Sequence, residues 1–174
     1  MMKIGILTIS DRASAGTYED LSGPAIAAWI GRTITTAYEL ACKVVPDGAD
    51  SVAEALIEMA DTLGCGLVLT TGGTGPSPRD QTPEAMQRVI AKELIGFGEQ
   101  MRRVSLEQTP TAILSRQTAG IRGKSLIINL PGKPASIAHC LDAVFAAVPY
   151  CLDLIGGGYI ETDPNRLLSF RPIQ

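Results

Sequence analysis

The feature that most constrains this chain is an alternation. Four short apolar runs each end in a polar or Gly/Pro-rich loop, and each is followed by residues with helical spacing. Residues 3–9 are rich in Ile and Leu and stop at Ser10-Asp11-Arg12, before a small-residue loop through Gly16. A run of that length and composition reads as a buried strand. Pro24 then stands at a first helical position, and Ile26, Trp29, Ile30 and Ile34 mark one face of the helix it opens. A second strand is expected over residues 38–45, closed by Pro46-Asp47-Gly48. Ser51-Val52-Ala53-Glu54 has the form of a capping box, and Val52, Leu56, Met59 and Leu63 make the apolar stripe of the helix it would start. The third strand, residues 67–70, runs into a glycine-rich loop, after which Thr82 reads as an N-cap with Pro83 at N1. Helical spacing continues over residues 85–91 and 97–106, with a short helix expected over 112–117. The fourth strand, 125–130, ends at Pro131-Gly132-Lys133-Pro134. Ile137, Leu141, Val144 and Phe145 mark the next helix, residues 148–155 another, and the tail beyond reads as irregular.

Alternation of this kind specifies an α/β class: a single three-layer domain over residues 1–174, with a mostly parallel sheet flanked by helices. No linker, repeat or low-complexity tract divides it. With 45% hydrophobic and 19% charged residues, the chain has an ordinary globular composition. A net charge of -3 exerts no general pull on nucleic acid or anionic membrane, so neither is expected as a partner. Cys42, Cys65, Cys140 and Cys151 are far apart in apolar runs and lack metal or redox spacing, which reads as buried free thiols. The opening apolar stretch is too short for a signal segment, and later runs fall short of the ~20 residues of a membrane span without charge or glycine. A cytoplasmic location is the resulting expectation.

In open α/β sheets ligands bind beyond the carboxyl ends of the strands. Here those loops hold Ser10-Asp11-Arg12, Pro46-Asp47, Thr71-Gly72-Gly73-Thr74-Gly75 through Asp80, and Pro131-Gly132. Gly72, Gly73 and Gly75 remove Cβ obstruction, so that backbone N–H groups can converge on an anion such as phosphate beside a helix start. The plainer alternative is a tight turn that needs positive φ. Asp47 and Asp80, at neighbouring strand ends, would supply the one or two carboxylates that magnesium takes while phosphate and water complete its shell; the plainer alternative for each is a turn or cap. Gly120-Ile121-Arg122-Gly123-Lys124-Ser125 ends like a P-loop, but Thr118 replaces the first glycine and the segment precedes a strand when it should follow one. His139, the only histidine, falls in an expected helix, where packing or exposure is the simpler role. Glu99, Arg102 and Arg103 read either as a solvated helix face or as ligand contacts, and Arg116 is open in the same way.

Several ordered blocks carry a family resemblance over nearly the whole chain. Ile9-Ser10-Asp11-Arg12-Ala13-Ser14, Pro46-Asp47, Thr70-Thr71-Gly72-Gly73-Thr74-Gly75, Arg79-Asp80-Gln81-Thr82-Pro83-Glu84-Ala85, Gly96-Phe97-Gly98-Glu99, Ala112-Ile113-Leu114-Ser115-Arg116 and Asn129-Leu130-Pro131-Gly132-Lys133-Pro134 closely resemble the bacterial molybdopterin adenylyltransferases, or MogA group, related to the MoaB group and to a domain of gephyrin. The resemblance implies an α/β fold assembling as a homotrimer, and transfer of AMP from ATP to the terminal phosphate of molybdopterin with magnesium. It assigns Asp47 and Asp80 to magnesium and catalysis, and Gly72, Gly73, Thr74 and Gly75, with Ser10 and Asp11, to the nucleotide. Thr82, Ser115, Arg116, Pro131 and Gly132 fall to the pterin side. Transient contact with a molybdenum insertion protein is also implied. The alternative is a MoaB-like carrier that binds molybdopterin without turning it over.

Overall fold

The first apolar run becomes an interior strand because it has partners on both sides. In the computed structural model, which describes residues 1–172, β1 (Met2–Ile9) pairs in parallel with β2 (Tyr38–Val45) on one side and β3 (Leu67–Thr71) on the other. β3 pairs in parallel with β6 (Ser125–Leu130). Two short strands extend that edge, β5 (Ala119–Arg122) antiparallel to β6 and β4 (Lys92–Glu93) antiparallel to β5. The order is β2-β1-β3-β6-β5-β4, a six-stranded, mostly parallel sheet.

Strand periodicity splits the core in two. Ile4, Ile6, Leu67, Leu69, Leu126 and Ile128 point to one face, where they meet α2 (Ser22–Thr33), α5 (Ile95–Leu106), α6 (Pro134–Val144) and α7 (Val148–Ile155). Leu7, Ile9, Val68 and Ile127 point to the other, under α3 (Ala49–Ile57) and α4 (Thr82–Val89). Alternate residues thus serve opposite layers, as the pleat requires. On the first face, Trp29 and Phe145 meet edge to face with centroids 4.6 Å apart, and Trp29 Nε1 donates to Asp142 Oδ1 at 2.8 Å. The stretch Pro134–Ile155 is long and apolar enough to cross a membrane by composition, but it bends through a 3₁₀ turn at Phe145–Ala147 and contributes Ile137, Cys140, Leu141, Phe145, Val148 and Leu152 to the core.

Several local expectations are corrected. The helix after β2 starts at Ala49 following Gly48, so Ser51 lies inside its first turn and its hydroxyl donates to the Pro46 and Gly48 carbonyls instead of capping. That helix widens to i→i+5 bonding over Glu58–Thr62, where Leu63 N–H reaches the Glu58 carbonyl, and Leu63 is only half-buried. Ile34 lies just past α2, where it pairs with Thr162 as an isolated bridge. Gln81 occupies the N-cap position of α4 without a side-chain capping bond, so Thr82 is the helix's first residue. Residues 112–117 are not one helix: a 3₁₀ turn spans Pro110–Leu114, and residues 115–117 run extended into β5. Strands β4 and β5 have no counterpart in the sequence reading. Cys65 and Cys140 are buried free thiols, but Cys42 is exposed because it sits on the edge strand β2. The tail is irregular through residue 172; Ile173 and Gln174 lie outside the described residues.

Candidate active site

Between β1 and β3 the strand order reverses, since β2 lies on one side of β1 and β3 on the other. The connections also change faces there, with α2 on one layer and α3 on the other. Loops leaving such a point diverge and open a crevice. A cavity of about 440 Å³ occupies it. Ser10, Asp11, Asp47, Gly72, Gly73, Asp80 and Gly132, contributed by β1, β2, β3 and β6, all line it.

The acidic wall is built reciprocally. Ser10 caps α1 (Asp11–Ser14), its Oγ accepting from Ala13 N–H. This turn aims the Asp11 N–H at Asp47 Oδ2 (2.8 Å), while Asp47 N–H donates to Asp11 Oδ1 (3.1 Å). Arg79 grips the Asp11 carboxylate with two bonds of 3.0 and 2.9 Å and also donates to the Asp47 carbonyl. Asp11 is therefore neutralised within the protein, and the Arg79 hydrogen bonds hold its carboxyl below the ordinary range. Among the described residues, the Asp47 carboxylate has no such cation of its own.

Opposite stands the glycine turn. Gly72 has φ +101° and a Cβ there would lie 2.1 Å from the Ile9 carbonyl oxygen; Gly73 has φ +63° and its Cβ would lie 2.3 Å from Thr82 Oγ1 and 3.4 Å from Asp47 Oδ1. Only glycine lets β3 turn this close to β1. Thr82, fully buried, ties α4 to the turn by donating to the Gly72 carbonyl (2.9 Å). Thr71 Oγ1 donates to the Pro131 carbonyl, drawing in the loop after β6. Asp80 folds back over its own loop, Oδ2 accepting from Ser77 N–H at 3.0 Å.

The remaining expected site residues lie outside this cavity's lining. Ser115 and Pro131 border a smaller hollow of about 130 Å³ with Arg102, whose Nη1 donates to the Gln117 carbonyl at 2.7 Å. Thr74, Gly75 and Arg116 stand behind the loop, where Arg116 N–H meets the Thr74 carbonyl and Arg116 Nε the Gly75 carbonyl. His139 bridges Gln108 and the Val104 carbonyl, away from the cavity. Residues 120–125 form the β5–β6 hairpin, with Gly123 at φ +54° in its turn. Sequence reasoning missed most of one wall: Tyr18, Asp20 and Ser22, which join Arg12 in lining the cavity. Asp20 caps the start of α2 through Ser22 and Gly23 N–H and accepts from Thr8 Oγ1 (2.7 Å), while Ser22 Oγ donates to the Gly132 carbonyl. An aspartate two residues before Ser22-Gly23-Pro24 was the available signal.

Residues 5–150 match the family described as a probable molybdopterin binding domain. The chain belongs to that family. A molybdopterin adenylyltransferase of Helicobacter pylori is 56% identical over 98% of this chain and 97% of its own, and the Escherichia coli protein of the same description is 47% identical over 98% and 94%. The molybdopterin biosynthesis enzyme MoaB from Thermus thermophilus superposes with a TM-score of 0.82 at 41% identity, covering 91% of this chain and 99% of that structure.

In this member of the molybdopterin-binding family, the carboxylates that line the cavity differ in their surroundings. Burial raises the Asp47 carboxyl above its ordinary value; the Asp11 N–H bond opposes that, the Asp11 and Asp80 charges add to it, and Arg79 opposes it. Asp47 and Asp80 each give one oxygen to a backbone N–H and leave the other without a protein partner among the described residues. They are the pair able to hold a hard cation. No three His, Cys, Asp or Glu side chains gather into a metal-binding group among the described residues, so a cation here would draw its remaining ligands from substrate and water.

The raised Asp47 carboxyl has a pH consequence. The folded chain keeps a proton that the unfolded chain releases near 3.8. The contribution of Asp47 to stability is therefore complete below that value and lost as pH rises through the folded pKa. Thermal melts of the cation-free protein should show Asp47→Asn more stable than wild type at neutral pH, with the difference closing in acid. A variant less stable than wild type at pH 7 would contradict this.

Proposed function

We propose that this chain is a magnesium-dependent molybdopterin adenylyltransferase. The observation that carries the proposal is the cavity at the β1/β3 reversal, where Asp47 and Asp80 confront the Gly72–Gly73 turn. Near-full-length identity to proteins described as molybdopterin adenylyltransferases supports the same reading.

ATP is the co-substrate. A terminal phosphate oxygen of molybdopterin attacks the α-phosphorus of ATP; the new P–O bond forms as the bond to the β-phosphate oxygen breaks, and pyrophosphate leaves with that electron pair. Asp47 and Asp80 would hold a magnesium ion, which supplies positive charge against the phosphate oxygens. The donor set fits it: two half-buried carboxylates with a free oxygen each, beside a third, Asp11, already paired with Arg79. Gly72, Gly73, Thr74 and Gly75, with Ser10 and Asp11, shape the nucleotide phosphate site, where the turn admits phosphate close to the backbone. Gly132, Pro131 and Ser115 form the pterin side, and Thr82 anchors the turn. No side-chain nucleophile is needed, because the incoming phosphate is itself the nucleophile. The protein works in the cytoplasm as a homotrimer that meets a molybdenum insertion protein transiently, with neither nucleic acid nor membrane as a partner.

The test is pyrophosphate release by the purified protein with ATP, magnesium and molybdopterin, omitting each in turn. Release that requires all three is expected. Tight molybdopterin binding with no release would replace this reading with that of a carrier.

A further inference from the structure

We propose that Arg116 is a positioning residue, which fixes Asp80 in place from behind the cavity. The proposal rests on the assignment of Asp80 to the reaction.

Arg116 does not line the cavity. Its polar groups are instead committed to the loop after β3 and the first turn of α4. The backbone N–H donates to the Thr74 carbonyl at 2.8 Å, Nε to the Gly75 carbonyl at 3.0 Å, and Nη2 to the Asp80 carbonyl at 2.6 Å. Nη1 and Nη2 also meet the Glu84 carboxylate on the first turn of α4. Both ends of the 75–80 loop thus hang on one guanidinium, whose planar fork sets the distance between them. The Ser77 N–H then fixes the orientation of the Asp80 carboxylate. The tolerance is small, since a Cβ on Gly75 would already stand 2.8 Å from Asp80 Oδ2.

The clamp is itself anchored. Arg102, from α5, donates to the Gln117 carbonyl at 2.7 Å and, at 3.4 Å, to the Ser115 carbonyl. It therefore grips the residues flanking Arg116 from the opposite side. Four exposed loop residues, Pro76 to Arg79, lie between the pinned ends; apart from Arg116, they are held by the bonds of Arg79 to Asp11 and the Asp47 carbonyl and by the Ser77–Asp80 pair. Removing Arg116 releases the Gly75 and Asp80 carbonyls, leaving the loop held at Arg79 alone on the Asp11 side, without removing any group that touches the cavity. A displacement on the order of 1 Å of a reacting or charge-stabilising group can cost about 10²-fold in rate.

The experiment compares Arg116→Ala and Arg116→Lys with Asp80→Asn, and with Arg122→Gln, which removes a similar half-buried clamp of Asp61 and the Val89 carbonyl at the other end of the sheet. Steady-state pyrophosphate release is read alongside amide hydrogen exchange at Ser77, Arg79 and Asp80 and direct Mn²⁺ binding to the substrate-free protein. Arg116→Ala should lower kcat by roughly 10–10²-fold, speed exchange in the loop and weaken Mn²⁺ binding. Lys should restore part of each, and Arg122→Gln should leave all three unchanged. Wild-type kcat, exchange and Mn²⁺ binding in Arg116→Ala would overturn the proposal. So would a raised KM for molybdopterin at unchanged kcat, which would make Arg116 a substrate contact. Should Arg116→Ala not fold, Arg116→Lys decides by the same readouts, with wild-type values again overturning the proposal. If Asp80→Asn proves fully active, the reading of Asp80 has failed; loop exchange and Mn²⁺ binding, which need no turnover, still decide whether Arg116 holds the loop.

Discussion

Asp80→Asn is expected to lower pyrophosphate release by roughly 10²–10³-fold at saturating substrate, with melting behaviour close to wild type. Asparagine keeps the shape of aspartate, and its amide oxygen can still accept from Ser77 N–H, so the bond that folds the side chain over its loop survives. What disappears is the charge facing Asp47 across the cavity, and with it half of the proposed cation site. The assay is steady-state release with excess magnesium, so that weakened metal binding can be separated from slower chemistry. A variant within a few-fold of wild type at every magnesium concentration would remove Asp80 from the mechanism.

The second large effect is expected from Gly72→Ala. At φ +101° an L-residue is strained, a cost of about 1–3 kcal/mol. The methyl group would also stand 2.1 Å from the Ile9 carbonyl oxygen, which is backbone and cannot swing aside. Either the turn separates from the end of β1 or the chain loses stability, and both outcomes spoil the cavity. Gly16→Ala separates the two causes: its φ is +71°, but nothing lies within 4 Å of the added carbon. Urea unfolding should show a modest loss for Gly16→Ala and a distinctly larger one for Gly72→Ala, with activity lost only in the latter. Equal losses at the two positions would mean that the close approach of β1 and β3 is not essential.

The parts legible in sequence were those in which one local signal decides the structure. The run 38–45 became β2 without change at either end, because Pro46 and Gly48 leave little choice about where it stops. Asp47, Gly72, Gly73 and Asp80 share the cavity because each follows a strand whose direction the βα alternation fixes. Features set by distant partners were not legible. Ser51-Val52-Ala53-Glu54 looked like a helix start, yet Ala49 N–H is satisfied from outside by Gln81 Oε1 at 3.0 Å, so the helix begins earlier. β4 is two residues long and exists only because Ile121 and Gly120 pair with it. Arg102 read as a solvated charge or a ligand contact on helical spacing alone; the carbonyls it binds come from a segment that no periodicity places beside α5. Asp20 and Tyr18 sit on a connection without periodicity, where sequence shows a loop but not which wall it forms.

The strand order also bears on when the site comes into being. Asp47 follows β2 and Asp80 follows β3, yet these strands do not touch; β1 lies between them, joined to both along most of its length. The cavity draws its lining from the loops after β1, β2, β3 and β6, so no single βα unit lines it alone. Pairing across the middle of a parallel sheet is slow relative to helix formation, because long loops must close first. In refolding, helical signal should therefore return before turnover does, so that recovered catalysis marks the closing of the sheet's centre.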